Sequence, residues 1–427
     1  STVAIVGTGP IGLAALQGLA KARRIVIKGA YLACYRETQS QRACTPAIAK
    51  FANNYRMNMK ETEESLRECH DRFHLWLQTR LSDVDELQLS EFTAPGASGF
   101  SNATLFATLG YRQDDLPVTR KIVIRIAPAS EDSYPVFRSY DIPLQFDVMK
   151  ALGEHSDVPV PRMLWKELDT SIFGEVFYVM EHTEGQVPSD NPPYTTEGFV
   201  KDASPAQREA LWWNGLEAMA RLHRLDWRKA GLDFLAWPED GRSAIDHHLA
   251  KCEQDLEWAS AGREQPLLES TLEWLKQNKP TGEPDAVSWG DARIGNQIFD
   301  DFKAVAIIDW EMVAIGSPEI DLGWWLFVDR VTMAGGGIGD AYARPRLEGL
   351  PSHEQTIERY GAMLGRPVQH AFYYQVFAGL RFGIVMLRLM QRLVFDGTVP
   401  AEYGPMLERN NTVTQVLAAI RGLPAPE

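Results

Sequence analysis

Residues 289–311, WGDARIGNQIFDDFKAVAIIDWE, constrain the fold more than any other stretch of this chain. Their short apolar runs and turn residues predict three brief strands and a tight loop, which carry Asp291, Asn296 and Asp309. The sequence on either side repeats apolar residues at intervals of three and four, as helices do. The chain must therefore fold so that brief strands interrupt a largely helical region and bring these polar side chains together.

The part of the chain before Gly185 has the pattern of a sheet. Five strands are predicted, at ELQLSEF, NATLFATL, VTRKIVIRIAP, VPVPRMLWKEL and VFYVMEHTEG, with one helix, IPLQFDVMKALGEH, after the third. Helices are then predicted near 206–227, 244–258, 265–277 and 370–393. We therefore predict an α+β fold of two lobes: a mostly antiparallel sheet with one helix at 76–184, and a mostly helical lobe at 185–427.

Composition fits a globular protein and excludes one class of partner. Hydrophobic residues make up 45% of the 427 residues, which supplies enough apolar surface for a sizeable core. The formal net charge is −14, and a chain of that charge is repelled by a phosphate backbone. We therefore expect no nucleic-acid partner.

The cysteines and the first apolar stretch bear on location. Cys34, Cys44, Cys69 and Cys252 form no CxxC pair and have no histidine at metal spacing, which is typical of reduced thiols rather than of disulfides or structural zinc. The apolar stretch 3–20 contains four glycines and a proline and follows no basic residue, so it does not fit a signal peptide. We expect a cytoplasmic protein with no membrane partner.

Residues 1–75 form an N-terminal extension with part of a dinucleotide-binding pattern. Gly7, Gly9 and Gly12 fit GxGxxG between two predicted strands. Residues 1–36 contain no Asp or Glu to hold a ribose, and no further run of parallel strands follows. We predict that the extension is not a complete domain, which leaves an NAD(P)-binding bifunctional protein as the less favoured alternative.

Asp291, Asn296 and Asp309 have the chemistry that phosphoryl transfer requires. A carboxylate must orient the acceptor hydroxyl and take its proton, and oxygen ligands must hold the ions that bridge the phosphates. We predict that Asp291 is the catalytic base and that Asn296 and Asp309 are the metal ligands, with ATP and Mg²⁺ as cofactors. A single Asp or Asn in a turn more often bonds to its own backbone, so the prediction rests on the ordered set.

The spacing xGDxxxxN, followed by an apolar run that ends in Asp309, Trp310 and Glu311, resembles the aminoglycoside phosphotransferase family, which has a protein-kinase-like fold. The GSPEID stretch at 316–321 and the GFSN stretch at 99–102 are similar to the branch related to the kinase-like domain of some acyl-CoA dehydrogenases. The resemblance runs from about residue 75 to 420. It implies a small-molecule kinase that transfers the γ-phosphate of ATP to a hydroxyl group of its acceptor.

The same resemblance implies three nucleotide-binding elements upstream. A glycine-rich loop that covers the phosphates would contain Gly96, Ser98, Gly99 and Ser101, because backbone N–H groups in such a turn can point at anionic oxygens. The cation of the third strand would be Arg125. The hinge that reads the adenine edge would be Met180, Glu181, His182 and Thr183.

Three residues depart from the family pattern. Trp289 stands where a histidine usually begins the catalytic loop, and its indole donates one hydrogen bond and accepts none. Arg125 replaces a lysine, and the helix residue expected to pair with it is the neutral Gln145. Asp141, one turn earlier, could substitute, although a carboxylate there is more often a helix cap. These departures motivate the alternative of a pseudokinase-like protein that binds nucleotide without turnover.

The acceptor is predicted only by class. Residues 321–427 contain ten acidic and ten basic side chains, which argues against a pocket for a polycationic aminoglycoside. Arg381, Arg388 and Arg392 share one face of a predicted helix, and such a face can bind an anion. We expect an anionic acceptor, of the hydroxyacyl-CoA type that the resemblance implies, with Arg388, Arg293 and Glu311 as candidate contacts.

Two other polar residues are predicted to be structural. Asp321 is expected to tie together the loops below the site. His223 lies on an amphipathic helix, where packing or a hydrogen bond near the helix end is a more common role than catalysis.

Overall fold

A computed structural model describes residues 59–93, 103–128, 134–190, 192–334 and 345–426. The three glycines of the GxGxxG pattern and most of the predicted extension therefore lie outside the described residues. So does the predicted glycine-rich loop with Gly96, Ser98, Gly99 and Ser101, whose role stays a prediction.

The N-terminal lobe contains one five-stranded sheet in which all pairings are antiparallel, as predicted. Its spatial order is β1-β2-β3-β5-β4. Along β2, buried and half-buried side chains alternate, as expected where the two faces of a sheet are covered unequally. The strands are β1 (Asp85–Leu89), β2 (Ala103–Gln113), β3 (Leu116–Ile126), β4 (Met163–Glu167) and β5 (Phe177–Glu181).

Two helices pack on this sheet. Helix α1 (Met59–Arg80) buries Phe73 and Trp76 against the sheet, where both rings contact Phe177. The indole of Trp76 also donates to Glu167 at the end of β4, over 2.7 Å. Helix α2 (Ile142–His155) packs against β4 and β5. The predicted boundary after residue 75 falls inside α1, because this helix continues without a break onto the sheet.

The C-terminal lobe is largely helical, as predicted, and is built around α9. This helix packs against α5, α6, α7, α10 and α11, and its apolar side chains are buried along most of its length. None of the described helices is both long enough and apolar enough to cross a bilayer. The helices are α3 (Phe199–Asp202), α4 (Pro205–Arg224), α5 (Ala244–Ser260), α6 (Pro266–Gln277), α7 (Pro318–Met333), α8 (His353–Leu364), α9 (Ala371–Phe395), α10 (Gly404–Arg409) and α11 (Thr412–Ile420).

Two short strand pairs interrupt these helices. β6 (Ala286–Ser288) pairs with β9 (Ala314–Gly316), and β7 (Gln297–Asp300) pairs with β8 (Lys303–Ile307). The prediction of three strands within 289–311 was wrong by one. Residues 289–296 form a loop and a 3₁₀ turn, because the first N–H groups of this loop donate to a buried carboxylate rather than to a neighbouring strand.

Candidate active site

Asp291 lies on the loop that follows β6, and its carboxylate accepts three hydrogen bonds. Oδ1 accepts from the indole N–H of Trp324 over 2.7 Å. Oδ2 accepts from Nδ2 of Asn296 over 2.6 Å and from Nε of Arg293 over 3.1 Å. Donors on both oxygens fix the orientation of the carboxylate, as is required of a base that must meet one hydroxyl group.

Asn296 ends the 3₁₀ turn of the same loop and is buried. Its Nδ2 donates to the carboxylate of Asp291 and also to the backbone oxygen of Asp291, over 3.1 Å. Because the amide nitrogen is engaged on that side, the amide oxygen is the atom that could coordinate a cation.

Asp309 follows β8 and has two features of a functional position. Its φ of 65° is left-handed, which costs a non-glycine residue on the order of 1 kcal/mol. Its Oδ1 is buried and accepts no hydrogen bond within the described residues. Burial raises the pKa of Asp309 despite the nearby guanidinium of Arg125, and the carboxylate of Asp291 raises it further. A metal cation would compensate this charge.

Arg125 on β3 reaches Asp309 rather than a helix residue. Its Nη2 lies 3.7 Å from Oδ1 of Asp309, and its Nη1 donates to the hydroxyl of Thr104 over 3.1 Å. Asp141 is not its partner, because Oδ1 of Asp141 accepts from the N–H of Leu144 and caps α2. Gln145 is buried on α2, and neither end of its amide has a hydrogen-bond partner among the residues that the structure describes.

Trp289 braces the catalytic loop. Its buried indole N–H donates to the backbone oxygens of Ile308 and Asp309, over 3.0 and 3.2 Å. This contact joins the loop that carries Asp291 to the segment that carries Asp309, where a histidine was expected. The next residue, Gly290, has a φ of 98°, and an added Cβ would overlap the carbonyl of Met312, so only glycine fits there.

Asp321 organises the base of the same loop, as expected. Its carboxylate is fully buried and accepts hydrogen bonds from the hydroxyl of Ser288 and the N–H groups of Trp289 and Gly290, over 2.6–2.9 Å. It also accepts from Nε2 of His223 over 2.8 Å. Burial alone would raise the pKa of Asp321, but these donors, led by His223, lower it below its ordinary value.

The family assignment agrees with this geometry. The model of the phosphotransferase enzyme family, APH, matches residues 94–355, more than half of the chain. The matched segment contains Arg125, Asp291, Asn296 and Asp309. The chain belongs to this phosphotransferase family. The predicted resemblance is therefore confirmed.

Two curated relatives of this phosphotransferase are acyl-CoA dehydrogenases by name. Probable acyl-CoA dehydrogenase IBR3 of Arabidopsis thaliana is 27% identical over 237 residues, which are 52% of this chain and 27% of that protein. Acyl-CoA dehydrogenase family member 11 of Homo sapiens is 29% identical over 230 residues, again 52% of this chain and 27% of that protein. The matches thus span about a quarter of the length of these relatives.

A solved structure shows the fold. A putative aminoglycoside phosphotransferase from Ralstonia eutropha superposes with a TM-score of 0.59 at 21% identity, covering 83% of this chain and 99% of that one. The predicted bilobal, kinase-like α+β fold is confirmed.

The predicted hinge of the phosphotransferase lies where β5 leaves the sheet. Met180 and Glu181 pair with the central strand β3, and the N–H of His182 donates to the carbonyl of Lys121 over 2.9 Å. Just beyond it, Gln186 exchanges backbone hydrogen bonds with Phe299 on β7. Thr183 lies between these two attachments, and its N–H has no backbone partner within the described residues. The adenine-reading role of 180–183 stays a prediction.

Arg293 links the carboxylate of Asp291 to a residue that the sequence did not indicate. Its Nε donates to Asp291, and its Nη1 forms an ion pair with Asp190. Asp190 and Trp324 both contact the loop that carries Asp291, but neither contact was predicted. The two residues lie in other segments of the chain, and no local sequence pattern indicates contacts between distant segments. Glu311 is half-buried in the turn after Asp309.

The contacts of Arg388 do not support its expected role in binding an anion. Its Nε and Nη2 donate to the carbonyl of Pro135, and its Nη1 donates to the side-chain oxygen of Gln391. The guanidinium carbon also lies 4.0 and 3.9 Å from the ring centroids of Tyr134 and Trp258. Protein acceptors and two aromatic rings therefore already contact this arginine.

Proposed function

We propose that this protein is an ATP- and Mg²⁺-dependent phosphotransferase that moves the γ-phosphate of ATP to a hydroxyl group of a small molecule. The convergence of Asp291, Asn296 and Asp309 carries the proposal. Asp291 is oriented by three donors, and Asp309 retains a buried oxygen that no donor of the described chain meets. Membership of the phosphotransferase family supports the reaction class.

In the proposed reaction the acceptor hydroxyl donates its hydrogen bond to the carboxylate of Asp291. The acceptor oxygen forms a bond to the γ-phosphorus, while the bond between that phosphorus and the bridging oxygen breaks and ADP leaves with the electron pair. The hydroxyl proton passes to Asp291. Trp324 and Asn296 hold the carboxylate in the orientation that this proton transfer requires.

Asn296 and Asp309 would hold magnesium, which when bound neutralises charge on the phosphate oxygens. Across the described ranges, no group of three or more His, Cys, Asp and Glu side chains is arranged for a metal ion. In the proposed site the remaining magnesium ligands would be phosphate oxygens and water.

The names of the relatives bear on the acceptor. About a quarter of each of two proteins named as acyl-CoA dehydrogenases matches this chain. We therefore propose that the acceptor is a hydroxylated acyl compound, free or carried by coenzyme A, rather than an aminoglycoside. The balance of ten acidic and ten basic side chains in residues 321–427 supports this choice, since a polycation requires an excess of carboxylates.

The test is transfer of label from γ-labelled ATP to a metabolite extract by the wild type and Asp291→Asn. We expect the substitution to lower the transfer rate by about 10²–10⁴-fold, because it removes the base while keeping the shape. Asp301→Asn, in the exposed turn between β7 and β8, is the matched control and should transfer normally. If ATP stabilises the wild type but neither transfer nor hydrolysis depends on Asp291, the pseudokinase-like alternative is correct.

A further inference from the structure

Arg381 is a buried cation without a hydrogen-bonding partner among the described residues. It lies on α9 with only 9% of its surface exposed, and its Nη1 is buried without an acceptor. Its guanidinium packs on the rings of Trp324 and Phe377, 5.1 and 5.5 Å from their centroids. The rings stabilise the face of the cation, but they cannot accept the hydrogen bonds that its N–H groups donate in the guanidinium plane.

Arg388, two turns along the same helix, provides the contrast. Among the described arginines these two are the buried ones, and Arg388 donates three hydrogen bonds to two acceptors, the carbonyl of Pro135 and the side-chain oxygen of Gln391. An isolated buried charge is strongly unfavourable, so buried arginines are normally paired or hydrogen-bonded. Burial accordingly lowers the pKa of Arg381. Among the residues that the structure describes, Arg388 therefore has its acceptors and Arg381 has none.

The nearby carboxylates are engaged elsewhere. Asp321 accepts four hydrogen bonds of its own, and Asp255 is ion-paired with Lys251 over 2.9 Å and lies 3.6 Å from Arg138. Within the described ranges, no carboxylate lies at ion-pairing distance from Arg381. An anion that binds here would therefore not have to displace a described carboxylate from the guanidinium of Arg381.

Arg381 is also close to the catalytic carboxylate. Trp324, on whose ring the guanidinium packs, donates its indole N–H to Asp291 over 2.7 Å. The guanidinium carbon lies 5.1 Å from the centroid of the Trp324 ring, and the indole nitrogen of the same ring lies 2.7 Å from Asp291. Together with the width of the ring, these two distances place the guanidinium carbon within about 10 Å of the Asp291 carboxylate. A single small molecule can contact both residues.

We propose that Arg381 binds the carboxylate of a hydroxy acid whose hydroxyl group is the phosphoryl acceptor; this inference rests on the function proposed above. The planar fork of arginine matches a carboxylate with two parallel hydrogen bonds. One carboxylate neutralises one buried guanidinium. A phosphate ester carries about two negative charges and would leave a net negative charge close to Asp291 and Asp321.

The distance also limits the length of the acceptor. With a hydrogen bond of about 2.8 Å at each end, this upper limit allows at most about four carbon–carbon bonds between the hydroxyl-bearing carbon and the carboxyl carbon. The proposal thus replaces Arg388 with Arg381 as the anion contact on α9, and it specifies a short hydroxy acid.

The experiment compares the full chain with two variants of the same helix. Arg381→Met removes the guanidinium and keeps a long apolar stem, and Arg392→Met removes an arginine that is ion-paired with Asp396 on the same helix. Thermal unfolding is followed in titrations with 4-hydroxybutanoate, 5-hydroxypentanoate and their amides, without ATP or magnesium. Label transfer from γ-labelled ATP is measured in parallel with the same compounds, with Asp291→Asn as the reference for base-dependent transfer.

We expect both hydroxy acids to stabilise the wild type and Arg392→Met, and the amides to have no effect. Arg381→Met should bind the acids at least about tenfold more weakly, and without ligand it should melt at or above the wild-type temperature because an unpaired charge has been removed. Arg381→Lys, which keeps the charge but not the fork, should bind with intermediate affinity.

Equal binding of acids by the wild type and Arg381→Met would overturn the inference, as would equal binding of acids and amides, or no binding of either acid. Asp291-dependent transfer to neutral alcohols at an unchanged rate in Arg381→Met would leave the proposed reaction standing and overturn the anion site. Binding through Arg381 without any transfer would support the anion site and overturn the reaction.

Discussion

Two carboxylates beside the loop that carries Asp291 differ in their hydrogen bonding: Asp321 is fully buried and Asp309 is half-buried. Asp321 accepts four hydrogen bonds, and its pKa is lowered. Asp309 has an oxygen without a donor in the described chain, and burial raises its pKa. Asp321, whose carboxylate has a full set of hydrogen-bond donors, shapes the loop. Asp309, which has an oxygen without a donor among the described residues, is suited to binding a ligand.

The largest expected effect is on folding and comes from Asp321→Asn. The substitution removes the charge that four donors share and turns an amide N–H toward some of them, so we expect the free energy of unfolding to fall by about 3–5 kcal/mol. Denaturant titration followed by tryptophan fluorescence measures the loss. Ser288→Ala, which removes one donor and leaves the other three, is the control and should cost about 1 kcal/mol. A loss below 1 kcal/mol in Asp321→Asn would mean that this carboxylate does not organise the loop.

Asp309→Asn should separate stability from activity. Because the Oδ1 atom of Asp309 is buried without a donor among the described residues and burial raises its pKa, we expect the variant to be as stable as the wild type or more stable by about 1 kcal/mol. Phosphate transfer should fall by at least about a hundredfold, since Asp309 is the charged member of the proposed pair of magnesium ligands and the substitution removes that charge. Matched denaturant and transfer assays check both effects. If Asp309→Asn were destabilised as much as Asp321→Asn, the contrast between the two carboxylates would be wrong.

The smallest effect extends the contrast to Glu167, a third carboxylate surrounded by donors. Burial raises its pKa, but the N–H of Asp169 and the side chains of Trp76 and Arg80 outweigh burial and lower the pKa of Glu167 to about 2. Because the folded-state pKa is depressed, its stabilisation is present above the unfolded pKa near 4.5 and is lost as the pH falls toward 2. Glu167→Gln should therefore cost about 2 kcal/mol at pH 7, and progressively less below about pH 4.5.

Unfolding of the wild type and Glu167→Gln between pH 7 and pH 3 measures this gap. Glu264→Gln, at an exposed position, is the control and should show no such gap. A gap that stays constant across the range would show that the contacts of Glu167 do not depend on its charge.

The sequence was sufficient for the features that follow from local pattern. The change from alternating to three- and four-residue periodicity predicted the sheet, helix α2 and four of the C-terminal helices, α4, α5, α6 and α9, in their order. The spacing of Asp291, Asn296 and Asp309 predicted residues that the structure places on adjoining loops. Each of these predictions needs only neighbouring residues, whose periodicity determines which side of an element they occupy.

The remainder depends on contacts between distant segments. Arg381 and Arg388 were equivalent in sequence, because helix geometry puts them on one face, yet Arg388 meets a carbonyl 253 positions away and Arg381 meets none. The indole of Trp324, in an apolar helical stretch that has the pattern of a core or lobe-interface segment, donates to the carboxylate of Asp291. Periodicity cannot distinguish such residues, since it records the side of a helix but not the chain that packs against it.

The contact between Arg388 and Pro135 affects how the lobes can move. Residues 134 and 135 lie between β3 and α2, so they belong to the N-terminal part of the chain, yet they are fastened to α9. Other contacts also join the two lobes: the N–H of Ile307 donates to the carbonyl of Pro159 over 2.8 Å, and Arg125 lies 3.7 Å from Asp309. Attachments at several separate points resist rotation of one lobe against the other. Opening of the lobes therefore requires that some of these contacts break.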